Sequence, residues 1–381
     1  MNEYRFYCLS KMRIALIMLL LTMGRSTFSQ EANRLEQAVD QAVHQEMHRQ
    51  QAIGAAVGIL LNHQIAYIKP YGLSDRENQL PVTRNTMFRW ASISKSLTAI
   101  TILQLAEQGL LDLDQDIHSI LKDYPLQKID GLQSFPITIR QLLCHQGGIV
   151  HYTNGVVRGT DRSYLRPHPY RSVQHALNDF NQSPLLHPPA SEYAYSTRGY
   201  ILLSAIAEKI GGQRFHKRVH RTIAKPLGMQ TLQPDFQWKV IPHRTIGYRL
   251  QQKDGSIVQS TNTDVSWKLG GGGFISNIDD LAKFAQGLMQ HQLVRPETER
   301  LMWQPNSTTT GKITTYGLGF RLQTIAGRET VGHSGSQEKT KTRLSMDMKT
   351  GTGVVLMCNS EHVDTAEFAT AVFQALSALG Y

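Results

Sequence analysis

The chain has 381 residues, 41% of them hydrophobic and 18% charged, with 30 glycines, 3 cysteines and a formal net charge of +10. That balance excludes a disordered chain, and the length suits one large domain or two with ample surface to bury a core. So few cysteines make no disulfide framework, and the positive charge comes without a compact basic run interleaved with aromatics, which points away from nucleic acid and toward anionic envelope polymers.

In chain order, residues 1–29 read as a secretory signal. Arg5, Lys11 and Arg13 form a basic start, residues 14–23 an apolar core too short to span a bilayer comfortably, and Thr27-Phe28-Ser29 a cleavage site before Gln30. Export to the periplasm or the medium is expected, with no stable membrane span after processing and residues 30–381 as the working domain. An uncleaved N-terminal anchor is the competing reading.

Residues 31–50 place Leu35, Ala38, Val39, Ala42 and Met47 on one face of an amphipathic helix. His44 and His48 stand one turn apart on it, a spacing that can hold a metal. No third ligand accompanies them, so they read as a solvated face, and no metal or cofactor is expected. Apolar runs at 55–61 and 65–71, joined by Asn62-His63-Gln64, read as a hairpin.

Next, Ser92 is followed three residues later by Lys95, at the head of an apolar run containing Leu97, Ile100, Ile102, Leu103, Leu105 and Ala106 and closing at Gly109. A helix apolar nearly all round is buried. Residues i and i+3 lie about 5–6 Å apart on one helical face, so the amine reaches the hydroxyl. Burial and the positive end of the helix dipole both favour the neutral amine, and a serine needs such a base to become a nucleophile. Alone, the pair reads rather as an N-cap serine followed by a surface lysine, since the spacing is common by chance, and the later motifs reverse that reading.

Residues 112–300 read as mostly helix and loop, and the chain then returns to strands at 317–323, 328–332, 342–348 and 352–358 before a closing helix over 365–379. Strands at both ends with helices between predict an α+β sandwich. One antiparallel sheet forms from N- and C-terminal strands and is flanked by helices, with an inserted, mostly helical lobe and a pocket between the lobes. The segment 151–171, with Tyr152, Arg158, Arg162, Tyr164, Arg166, His168 and Tyr170, reads as a substrate rim or a solvated loop. Lys349-Thr350-Gly351 falls where a hairpin turn is expected. Gly332-His333-Ser334-Gly335 approaches the G-x-S-x-G elbow, but Ser336 holds the fifth place and no alternating βα pattern surrounds it.

Three further motifs follow Ser92 and Lys95: residues 137–148, ending Cys144-His145-Gln146-Gly147-Gly148; Tyr193-Ala194-Tyr195-Ser196-Thr197; and Val331-Gly332-His333-Ser334-Gly335-Ser336. With these in order the chain resembles the penicillin-recognising serine hydrolases, a group of class C β-lactamases, D-alanyl-D-alanine carboxypeptidases and related esterases whose signature includes S-x-x-K. The resemblance covers most of residues 53–376, including Gly72-Leu73-Ser74-Asp75, Leu111-Asp112-Leu113-Asp114, and Gly271-Gly272-Gly273-Phe274-Ile275-Ser276 before Asp279-Asp280-Leu281. Ser266-Trp267-Lys268 through Phe274 is most similar to the mitochondrial β-lactamase-like serine protease branch.

The resemblance implies Ser92 as nucleophile, Lys95 as its base partner and Tyr195 as a second base, its pKa lowered by a neighbouring cation such as Lys95. It implies an oxyanion hole from the backbone N–H groups of Ser92 and Ser336, and substrate contacts from His333, Ser334, Gly335 and Thr197. Thr197 stands where the family usually has asparagine, and His333 where β-lactamases carry lysine; both departures predict that β-lactams are poor substrates. Residues 337–342 are unusually charged, which puts the pocket edge in question. The expected activity is hydrolysis through an acyl-enzyme of amides or esters: D-alanyl peptides, small esters, and weakly β-lactams. Its partners would be a small-molecule or peptide substrate, with cell-wall peptidoglycan a candidate. The alternative is a non-catalytic penicillin-binding or sensor protein on the same scaffold.

Overall fold

A computed structural model describes residues 30–129, 134–160 and 169–381; the expected signal segment lies outside the described residues. Helix α1 (residues 30–49) leads into β1 (Gly54–Leu61), which is buried along its whole length. Its alternate residues serve two separate cores: Ala55, Val57 and Ile59 on one face, Ala56 and Leu60 on the other. A strand covered on both faces needs such a continuous apolar run. Asn62 and His63, at φ 50° and 63°, turn the chain into β2 (Gln64–Asp75), a left-handed pair whose twist matches that of the hairpin they join.

After β3 (Leu80–Pro81), the chain enters α2 (Ser94–Glu107), buried from Ser94 to Leu105, and later α3 (Thr197–Gly211) and α4 (Ile278–Met289). Strands β4 (Arg321–Ile325), β5 (Arg328–Gln337), β6 (Thr340–Asp347) and β7 (Thr352–Cys358) then precede α5 (Thr365–Ala378). The seven strands form one antiparallel sheet in the order β4-β5-β6-β7-β1-β2-β3, so the two ends of the chain meet where β7 pairs with β1. Helices α1 and α5 cover one face through Val39, Val43, Phe368 and Phe373; α4 and the helical lobe cover the other.

The expected sandwich is therefore what the chain forms, with local corrections. Strand β4 starts at Arg321 rather than at 317, because Gly319 adopts φ 85° and Gly317 N–H turns back to the Phe320 carbonyl. Strands β5 and β6 run to Gln337 and from Thr340, so His333-Ser334-Gly335 lies inside a strand. The middle of the chain is not only helix and loop: Phe274–Ser276 pairs with both Phe88–Arg89 and Gln233–Pro234. Lys349-Thr350-Gly351 is a turn between β6 and β7, held by Asp347, which accepts from the N–H groups of Lys349 and Thr350. His44 and His48 are exposed on α1. Among the described residues no helix is long and apolar enough to cross a membrane.

Candidate active site

Ser92 lies at a strand-to-helix corner. Phe88–Arg89 is held in the small sheet, and Ala91 then adopts φ 46°, a left-handed conformation unusual for a residue with a Cβ. This corner turns the chain into the short helical turn Ala91–Ile93 ahead of α2. Lys95 follows in the first turn of α2 and is 0% exposed. Its Nζ lies 3.1 Å from Ser92 Oγ, 3.1 Å from Thr197 Oγ1 and 2.7 Å from the Gly271 carbonyl oxygen. Burial, reinforced by the charges of Lys268 and Arg321, holds its pKa well below that of an ordinary lysine. A neutral amine has two N–H donors and one lone pair. Gly271 and Thr197 take the donors, and the lone pair is left for the Ser92 hydroxyl proton. Gly271 reaches the amine because it has no side chain: a Cβ there would stand 2.6 Å from Thr197 Cγ2.

Tyr195 lies just ahead of α3, and Lys95 Nζ sits 4.8 Å from its ring centre. Burial pushes its phenol pKa upward, against a smaller opposing effect of a hydrogen bond with Ser92. This overturns the expectation of a lowered pKa: the neighbouring lysine is itself uncharged, so it supplies no field to stabilise a phenolate. Tyr195 stands beside Ser92 as a neutral phenol.

Strand β5 faces the other side of Ser92. The β4–β5 turn pairs Ile325 with Arg328, and the β5–β6 turn pairs Gln337 with Thr340. Counting alternate residues from either turn gives one answer: the N–H groups of Ser334 and Ser336 point away from β6. Because β4 begins opposite Gly332, that edge of β5 is open at Ser336. The Ser336 side chain is exposed, and its backbone N–H lies on that open edge.

What sets this edge against Ser92 is a pair of threonines. Thr340 Oγ1 donates to the Arg89 carbonyl at 3.1 Å and Thr342 Oγ1 to the Trp90 carbonyl at 2.9 Å, both side chains 0% exposed. Between them and Trp90 lies Gly335, where a Cβ would stand 2.2 Å from Thr342 Oγ1 and 2.5 Å from the Trp90 oxygen. Within the 337–342 segment, Thr340 and Thr342 thus point inward and tie β6 to the residues before Ser92.

The remaining expected residues fall differently from their assigned roles. His333 is 2% exposed, and both ring nitrogens are engaged: Nδ1 donates to the Ser334 carbonyl at 2.6 Å and Nε2 accepts from the Tyr316 hydroxyl at 2.9 Å. Burial and the charge of Arg321 hold it neutral, so it supports the pocket wall and has no free ring nitrogen for substrate. Ser334 is cross-strand from Arg343, whose guanidinium bonds Thr365 at the start of α5, so its side chain belongs to the sheet face away from Ser92. Thr197 is 2% exposed, with its hydroxyl on Lys95 rather than turned to a ligand.

Sequence reasoning missed Arg321. At the start of β4, opposite Gly332, its guanidinium carbon lies 5.4 Å from the Tyr195 ring centre and 5.6 Å from that of Tyr316. Its Nε is buried without a hydrogen-bond partner among the described residues. A permanent cation therefore borders the pocket beside the neutral His333, which removes the ground for expecting none there. The register of a hairpin brings Arg321 to this place, and no local pattern around it signals the site. His145, which was part of a quoted motif without a role, is also here: 2% exposed, its ring is enclosed by Tyr195, Tyr200 and Tyr316 at 4.3, 5.1 and 4.5 Å between centres. His151 Nδ1 accepts from the Thr197 N–H at 3.2 Å, and burial lowers its pKa to about 3. Of the supposed rim, Tyr152 stands exposed beside His151, while Arg162, Tyr164, Arg166 and His168 lie outside the described residues.

A serine at a corner, a buried neutral amine, a phenol and an open strand edge on one sheet define a class. The chain belongs to the beta-lactamase family, a family of serine hydrolases, whose match runs over residues 39–378. Among its relatives is the human mitochondrial serine beta-lactamase-like protein LACTB, 26% identical over 331 residues, with 68% of this chain and 60% of that protein covered. The chain thus spans about 60% of the length of the mitochondrial relatives it matches. Esterase EstB of Burkholderia gladioli is 26% identical over 304 residues, covering 73% of this chain and 76% of the esterase. The D-amino acid amidase of Ochrobactrum anthropi SV3 has the same fold, with a TM-score of 0.76 at 21% identity over 91% of this chain and 99% of the amidase.

Proposed function

We propose that the chain is an exported serine hydrolase that carries its substrates as an acyl-enzyme on Ser92 and acts on amides or esters, with D-alanyl peptides of the cell wall and small acyl esters as candidates. One observation carries the reading: a fully buried, neutral Lys95 amine whose open lone pair meets Ser92 Oγ at 3.1 Å. Lys95 takes the Ser92 proton as Oγ attacks the substrate carbonyl carbon. The oxyanion forms between the N–H groups of Ser92 and Ser336. Tyr195, protonated at rest, gives its proton to the departing amine or alcohol and receives the one held by Lys95. Water then enters by the reverse relay and frees the acid. Arg321 offers a carboxylate-bearing leaving group a permanent cation. Weak β-lactam turnover remains part of the reading on account of Thr197, whose single short hydroxyl, already accepting from Lys95, cannot match an asparagine amide around the acyl side chain. Export rests on the basic, apolar start of the chain.

The test is covalent labelling with a fluorophosphonate, alongside turnover of a D-Ala-D-Ala peptide, nitrophenyl esters and a chromogenic cephalosporin. Label is expected on the wild type and not on Ser92→Ala, with turnover falling by several powers of ten in the variant. A folded wild type with no Ser92-dependent label and no turnover would leave a binding protein on a hydrolase scaffold.

A further inference from the structure

The acylation chemistry does not use the groups on the second side of Ser92. Lys268 ends the helical turn Ser266–Lys268 and is 7% exposed. Its ammonium lies 5.5 Å from the ring centre of Trp267 and 5.8 Å from that of Tyr152. Among the described residues it makes no hydrogen bond and no ion pair at contact distance. Glu338, at the β5–β6 turn, acts on it only through space, and the Glu338 carboxylate accepts instead from Thr263 Oγ1 at 3.3 Å. Burial lowers the Lys268 pKa to about 8 against the opposing pull of Glu338, so it stays a cation at neutral pH. A buried charge without a partner is costly, and proteins keep few of them.

A second donor is left open at the same place. Gln337 Nε2 is buried with no partner among the described residues. Gly272 brings the two groups together: a Cβ there would lie 3.2 Å from Gln337 Oε1, 3.6 Å from Lys268 Cδ and 3.7 Å from the carbonyl carbon of Ala91, the residue before Ser92. Two donors without a hydrogen-bond partner among the described residues, one of them charged, therefore stand together next to the backbone of Ala91, the residue before Ser92. The indole and phenol rings beside Lys268 add apolar surface that a methylene chain would cover.

We propose that Lys268 and the Gln337 amide form a subsite for a carboxylate carried on the acyl part of the substrate, the part that remains on Ser92. The preferred substrates are then esters or amides of short dicarboxylic or acidic amino-acid acyl groups. Arg321, on the β4–β5 side, is left for the departing group. Glu338 at the outer rim keeps Lys268 protonated and is poorly placed to receive an ammonium, because it already holds Thr263.

This inference rests on the acyl-enzyme reading, and the experiment separates the two. The full chain is assayed with three coumarin esters of equal length: a monoglutaryl ester, its methyl-capped neutral analogue, and a 5-aminopentanoyl ester, each corrected for its uncatalysed rate. The readout is the ratio of kcat/KM between charged and neutral esters, which cancels any general effect on Lys95. The wild type is expected to favour the glutaryl ester over the capped one by about tenfold. Lys268→Met should bring that ratio near one, Lys268→Arg should keep most of it, and Gln337→Ala should lower it in part. Equal rates on the acid and capped esters, a preference for the aminopentanoyl ester, or a glutaryl preference that survives in folded Lys268→Met would each overturn the subsite while leaving Ser92 labelling intact. Loss of Ser92 labelling in the wild type would overturn the acyl-enzyme reading itself.

Discussion

The two faces of the sheet are packed by different chemistry. Against α1 and α5 the sheet presents Val57, Ile59, Val354 and Leu356 to Val39, Val43, Phe368 and Phe373, an aliphatic and aromatic packing with the buried Arg343 at its side answered by Thr365 of α5. Against α2 and α3 it faces a layer in which Lys95, Ser96, Thr98, His145 and Tyr200 are all at most 2% exposed. Most of these polar groups are answered by backbone: Ser96 Oγ donates to the Gly319 carbonyl, Thr98 Oγ1 to that of Gly270 and Tyr200 Oη to that of Leu143. The outer face shows what the fold needs to stand. On the inner face, the few groups whose hydrogen-bonding capacity is not met from within mark where chemistry or a ligand comes in.

The comparison breaks most sharply at Lys95. Lys95→Met keeps the volume and removes an amine that burial already holds uncharged. The variant should fold with a melting temperature close to the wild type, while kcat/KM falls about 1,000-fold or more. The wild-type rate should fall on the acid side, as lowering the pH protonates the Lys95 lone pair. Because that pKa is depressed, this loss sets in well below the pH at which a free lysine would be protonated. A steady-state pH profile with thermal melts checks both points, and a Lys95→Met enzyme with near wild-type turnover would return the inner face to a merely structural role.

Phe373 is the matching probe on the outer face, 0% exposed between α5 and the sheet. Phe373→Ala should cost about 3–5 kcal/mol of stability through lost burial and the cavity left behind. At temperatures where the variant is still folded, kcat should change by less than about threefold. Denaturant unfolding beside the ester assay separates the two quantities, and a large loss of kcat in the folded protein would mean that the faces are coupled.

The smallest and most discriminating change is Thr342→Val, which removes the hydroxyl that donates to Trp90 while keeping the branched shape. If this bond sets the Ser336 edge against Ser92, kcat should fall by about five- to tenfold with KM within about twofold. Thr342→Ser should restore most of the rate. Equal losses in both variants, or a loss confined to stability, would reduce the threonine to packing.

Ser92, Lys95 and Tyr195 were legible because each sits in a short motif whose spacing or order carries meaning without knowledge of the fold. The sheet was legible because β1 and β7 are unbroken apolar runs at opposite ends of the chain, bounded by turns. Thr340 and Thr342 pointed the wrong way in the sequence: next to Glu338, Lys339 and Lys341 they read as a charged rim, and only strand alternation turns their hydroxyls inward. His333 was read by analogy to a position, whereas its state depends on Tyr316, seventeen residues away, whose hydroxyl occupies Nε2.

By itself, then, the sequence determined the class of fold and singled out Ser92 and Lys95 as the proposed nucleophile and base, since these readings follow from local periodicity and from residues within one helical turn. Tertiary structure decided the protonation states of His333 and Tyr195 and the placing of the cations Arg321 and Lys268. Burial, which the apolar run after Ser92 announces for Lys95 but no local spacing announces for His333 or Tyr195, is what leaves Lys95 and His333 neutral and Tyr195 protonated. Arg321 reaches the pocket only through the register of the β4–β5 hairpin, and Lys268 reaches its place because Gly270 and Gly271 pack closely against α3 while their carbonyls accept from Thr98 and Lys95 of α2. Electrostatics acts through space and through the local dielectric, so its outcome waits until distant segments of the chain have met.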